Sequence, residues 1–194
     1  MKKDLTDYLQ EGRDAVLWKL EGLSEYDARR PMVRTGTNLL GLVKHLAWVE
    51  AGYFGGVFDK PFPDDSPWDA QNAEPNADMW ATPDESRDDM IGLYRRVWAH
   101  SDRTIESLDL DAPGLVPWWS EASRNVTLHR ILVHVTAETH RHAGHADIVR
   151  ELVDGSIGYR PGGSNLPDPL DWDTYRAGLE EAAHQAQEAQ SGGD

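Results

Sequence analysis

One helical run decides most of what this chain can fold into. From His134 to His145 the sequence HVTAETHRHAGH sets four histidines and a glutamate inside a segment flanked by apolar residues. At about 100° per residue, His134, Glu138, His142 and His145 share one face with Ile131, Ile148, Val149 and Leu152. Such a stripe, apolar at its ends and ionisable at its centre, predicts a packed helix with a polar core. A carboxylate and several imidazoles buried without partners are expensive, so the centre needs a compensating group. A divalent cation is one of the few that suits neutral imidazole together with carboxylate.

The helical period recurs along the rest of the chain. Leu5, Tyr8, Leu9, Val16, Leu20 and Leu23 predict a first helix over about 5–23, broken by the Arg-Arg-Pro-Met stretch within 24–35. A second helix is expected from an N-cap at Thr37 to about Phe58, apolar nearly all round and therefore central, with His45 midway. Residues 59–81 hold four prolines and no sustained period, which predicts a long crossing loop. Thr82-Pro83-Asp84-Glu85 has the form of a capping box opening a third helix to about Leu108. Residues 109–126 predict a loop with a turn around Trp118-Trp119, and Thr127 caps a fourth helix that ends near Asp154-Gly155. The fold expected is all-α: a four-helix bundle over 1–158 with a long crossover between the second and third helices. Residues 159–194 form an appended, wrapping tail with a short helix from about Trp172 to Gln187 and a disordered SGGD end.

Composition narrows the function. A length of 194 residues suits one domain. With 34 acidic against 19 basic residues and no basic cluster, the net charge of −15 opposes phosphate-backbone binding, so nucleic acid is excluded as a partner. The N-terminal segment breaks its apolar residues with Asp4, Asp7, Glu11 and Asp14, which fits neither a signal peptide nor a membrane span. Cysteine is absent, so disulfides and thiolate ligands are excluded, any thiol chemistry needs an external thiol, and a cytoplasmic setting is expected. Neither a GxSxG elbow, a Walker loop nor a dinucleotide glycine fingerprint is present, and the Glu-x-x-His pairs of a ferritin-like di-iron site fail because Arg141 follows Glu138-x-x.

The cluster therefore carries the chemistry. Residues four apart on a helix stand one above the other, near enough to grip one ion, and three registers compete: His134 with Glu138, Glu138 with His142, or a wider set that includes His145. The rival is a solvated face holding a Glu/His ion pair worth only about 0.2–0.5 kcal/mol, against which the apolar residues of the same face count. His45 by itself reads as a core histidine.

With His45 in GLVKHLAWVE, a PWWS loop and HVTAETHRHAGHADIVRELVDG, residues 1–158 resemble the DinB-like family of small four-helix metalloenzymes. The nearest branch includes the mycothiol-dependent maleylpyruvate isomerase. That resemblance implies one divalent ion, zinc or nickel first and iron, manganese or cobalt as alternatives, held by His45, Glu138 and His142. His134 and His145 are alternative ligands, and a fourth protein ligand would make the site closed and structural. It further implies that Arg141 or His145 orients substrate or carries a proton, that the partner is a small molecule such as a low-molecular-weight thiol, and that the chain forms a homodimer. The implied activity is a thiol-dependent transferase or isomerase; a metal-dependent hydrolase, an Fe(II) oxygenase and a non-catalytic structural or sensing bundle are the rivals.

Overall fold

The computed structural model describes residues 1–68, 74–164, 166–167 and 170–191. One compact unit spans Met1–Gly163. Its four long helices are α1 (Lys2–Trp18), α3 (Leu39–Phe54), α4 (Arg87–Ser107) and α5 (Leu128–Asp154), with a short α2 (Glu25–Arg29) between the first two. Helix α3 packs on α4 and α5, while α1 packs chiefly on α5. The all-α bundle with a long connection between α3 and α4 is the architecture that the periodicity implied.

Helix α3 is central because its sequence leaves it almost no polar face. Only His45, Val49 and Gly52 escape full burial. These lie at i, i+4 and i+7, a single line along one side of the helix. Two core clusters meet around it, one built with Leu42, Val43, Leu46 and Tyr94, the other with Phe54, Ile105, Ile131 and Val135. A buried ion pair ties three helices together: Arg13 of α1 grips Glu50 of α3 through two hydrogen bonds and reaches Asp102 of α4 at 2.9 Å.

Several boundaries differ from expectation. Helix α1 stops at Trp18, five residues early, because Lys19 and Leu20 turn through i−3 hydrogen bonds and Gly22 takes a φ of 73°. Asn38, not Thr37, caps α3 by accepting from the Gly41 N–H at 2.8 Å, and α3 ends at Phe54 with a 3₁₀ turn over Gly56–Phe58. Thr82–Glu85 does not open the third helix. Ser86 and Asp89 form the capping box of α4, while Glu85, which reaches back to the Thr82 N–H at 2.7 Å, is also drawn to Lys44 at 2.8 Å. Thr127 does cap α5, and Gly155 ends it at a φ of 76°, a left-handed conformation that suits glycine.

Residues 109–126 are not merely a loop. A two-stranded antiparallel hairpin pairs β1 (Pro113–Leu115) with β2 (Asn125–Thr127) in the register Gly114↔Val126. Gly114 lies against Phe58, where a Cβ would approach Cε1 to 2.8 Å. The apolar end of the α5 stripe is also shorter than its spacing suggested: Ile131 and Val149 are buried, but Ile148 and Leu152 are exposed. Ser164–Asp194 forms a second unit. It carries α6 (Trp172–Ser191), four residues longer than expected, with no buried residue and with Trp172, Tyr175 and Leu179 exposed along one side. Residues 192–194, the rest of the SGGD end, lie outside the described residues.

Candidate metal centre

The bundle brings His45 of α3 against Glu138 and His142 of α5. One ligand atom from each lies within 4.8 Å of the other two, and among the described residues this is the group that could hold an ion. His45 Nε2 faces Glu138 Oε1 at 3.8 Å, and His142 Nε2 meets the same oxygen at 3.0 Å. Of the three registers, Glu138 with His142 is the one whose ligand atoms gather with that of His45.

Each imidazole is turned by its second nitrogen. His45 Nδ1 donates to Asp78 Oδ2 at 2.5 Å, from a carboxylate that is itself buried. That bond fixes the tautomer, so Nε2 carries a lone pair; yet Nε2 is buried and has no hydrogen-bond partner. His142 Nδ1 lies 3.2 Å from His145 Nδ1. His142 Nε2 donates to Glu138 Oε1 at 3.0 Å; with the ring proton on Nδ1 instead, given to His145, Nε2 would be free to ligate. Asp78 is invisible in the sequence, one carboxylate among many in an acidic loop.

Burial, with the charge of His45 beside it, lowers the His142 pKa from the ordinary histidine value. Burial pushes Glu138 upward, but the charge and hydrogen bond of His142, then His45 and Arg141, outweigh it and lower the carboxyl overall. Both shifts favour the ligating forms, neutral imidazole and ionised carboxylate. Two histidines and a carboxylate are a suitable donor set for a divalent ion of the zinc or first-row type, and the buried, unpartnered Nε2 of His45 fits the role of a ligand.

The remaining candidates sit around this centre. His134 packs its ring on Tyr53 and Trp119, with centroids 4.8 and 5.0 Å away, and burial lowers its pKa. His145 stands behind His142, and Arg141 is exposed one residue before it. His140 turns to the Tyr8 carbonyl.

Asp78 reaches His45 because α3 holds the crossing loop. Asn38 Nδ2 donates to the Met79 carbonyl at 3.3 Å, and Lys44 Nζ donates to the Trp80 carbonyl at 3.1 Å. Gly41 lets Met79 come so close that a Cβ there would stand 1.9 Å from the carbonyl oxygen. The aspartate is thereby delivered by a backbone clamped on both sides.

Beside the centre, a cleft of about 610 Å³ opens between α3, the loop after it and the hairpin, walled by Trp48, Tyr53, Phe62, Trp68 and Trp118. Its volume is that of a small-molecule site. Val49 and Gly52, the two positions that continue the line of His45 along α3, form part of its lining.

Two imidazoles and a carboxylate thus converge from two helices of an all-α bundle, which makes this a helical protein with a candidate metal site. A family model described as mycothiol-S-transferase matches residues 4–155, and the chain belongs to that family. No curated protein and no solved structure matches it. No helix among the described residues is long and apolar enough to cross a membrane.

Proposed function

We propose that this protein is a metal-dependent S-transferase that passes a low-molecular-weight thiol, mycothiol first among them, to an electrophilic small molecule. The observation that carries this reading is His45 Nε2, buried, unpartnered and aimed at Glu138 and His142 in a chain of the mycothiol-S-transferase family. His45, Glu138 and His142 would hold one divalent ion, with zinc or nickel favoured by the N/O donor set. When bound, that ion lowers the pKa of a thiol at its open position, so that thiolate is available at neutral pH.

The chain's own residues do the rest. Asp78 holds the His45 ring in its ligating tautomer, and His145 does the same for His142. Glu138 supplies a negative charge that offsets part of the ion's. Transfer forms a sulfur–carbon bond; where the acceptor carbon carries a leaving group, the bond to that group breaks and it departs with the electron pair. The thiol proton goes to solvent, by way of exposed His145 in contact with His142.

Titrating cobalt-substituted protein with mycothiol should produce a sulfur-to-metal charge-transfer band, and His45→Ala should lose it with its metal while keeping its helical spectrum. Failure of any band at millimolar thiol, with metal bound and small esters hydrolysed, would replace the transferase by a hydrolase.

A further inference from the structure

The cleft has a composition of its own, which the metal centre does not explain. Its walls are aromatic, with the rings of Trp48 and Phe62 at right angles, 6.2 Å apart, and Trp68 and Trp118 exposed at its rim. Two hydroxyls stand in this lining, those of Ser66 and Tyr53, and the Tyr53 hydroxyl has its acceptor capacity already used. Tyr53 Oη accepts from Trp119 Nε1 at 3.0 Å and from Trp118 Nε1 at 3.4 Å. With both lone pairs taken, the Tyr53 O–H can act toward a ligand only as a donor.

Position ties this group to the centre. Tyr53 packs on His134, which lies one turn before Glu138 on α5, while Val49 and Gly52 continue the line of His45 along α3. The cleft approaches the centre through Val49, one turn from His45 on α3, while His45, Glu138 and His142 themselves stand outside its lining.

We infer that this cleft is the acceptor subsite: it takes a flat aromatic or conjugated carbonyl compound, whose ring lies among the tryptophans and whose oxygen accepts the Tyr53 hydrogen bond. Stacking and apolar burial supply affinity, and the Tyr53 donor supplies selectivity for an oxygen-bearing ligand over a hydrocarbon of the same shape. The role as acceptor subsite rests on the S-transfer reading. In that role a thiolate sulfur bonds to the conjugated carbon, the π pair moves onto the carbonyl oxygen where Tyr53 donates, and the proton lost by the thiol is returned to the adjacent carbon from solvent. The sum is addition of the thiol across the double bond, with no oxidant needed.

Binding can be read without thiol or turnover. Acetophenone and ethylbenzene share a ring and a two-carbon substituent and differ in the oxygen. Titrating each into the full chain and following the tryptophan indole N–H resonances should give saturable shifts for both, with the ketone bound roughly 3–10-fold tighter, the range of one neutral hydrogen bond. Tyr53→Phe should bring the two ligands to equal affinity while ethylbenzene binding stays. Trp118→Ala, at a half-exposed position, should weaken both. Equal affinities in the unaltered protein, a preference that survives Tyr53→Phe, or binding indifferent to Trp118→Ala would each overturn the subsite. The cobalt titration is independent of these results: a missing thiolate band with ketone selectivity intact would end the S-transfer reading and leave the cleft a carbonyl-binding site.

Discussion

At the scale of the residue, the centre depends on a carboxylate that binds nothing itself. Asp78 is buried, and its 2.5 Å contact to His45 Nδ1 decides which ring nitrogen is free. An asparagine there can offer its amide N–H to Nδ1, which would place the proton on Nε2 and block ligation. Asp78→Asn is therefore expected to lower metal affinity roughly 10–100-fold, the usual cost of losing such an outer partner, with the helical spectrum unchanged. Competition with a chromophoric chelator measures it; an affinity equal to that of the original protein would reduce Asp78 to a loop anchor.

At the scale of the element, the centre is assembled by α3, which provides His45 and clamps the crossing loop that carries Asp78. Gly41 is the point of closest approach. Alanine is the better helix former by about 1 kcal/mol, so on propensity alone Gly41→Ala should stabilise α3. A Cβ 1.9 Å from the Met79 carbonyl forbids that gain. We expect Gly41→Ala to lower the melting temperature and to weaken metal binding, though Gly41 lies a turn away from His45; a stabilised variant with intact affinity would show that the loop is not held here. The same contrast explains what the sequence disclosed. Helices α1, α3, α4 and α5 were legible because each writes a 3.6-residue pattern over many turns, and Glu138 with His142 because helical spacing stacks them. His45 was legible as a ligand only through family resemblance. Asp78 and the hairpin were not legible: the first acts across the fold, and β1 and β2 are three residues each, one containing Pro113-Gly114, which are poor strand formers. Thr82–Glu85 misled because a tertiary partner, Lys44, shares the glutamate that the box would have used.

At the scale of the whole molecule, one histidine of the centre and one beside it make the bundle sensitive to acid. His134 and His142 have pKa values held below the ordinary 6.5 by burial, so between their folded values and 6.5 the unfolded chain binds more protons than the folded one. The sign follows: the stability they support is complete above pH 6.5 and is lost as the pH falls through the folded values. Glu138 and Asp154 act in the same direction at lower pH. Asp154, held to about 2 chiefly by its hydrogen bonds from Arg150, gives up its part between about 3.8 and that value. Metal-free protein should therefore show a urea midpoint that declines as the pH is taken from 7 to 5.5, and His134→Gln, which removes a titrating group without touching the candidate ligands, should flatten that decline. Metal-loaded protein should decline more steeply, since imidazole must be neutral to ligate. If His134→Gln follows the same curve as the original chain, His134 is not held neutral by its place against Tyr53 and Trp119, and the acid sensitivity belongs to the centre alone.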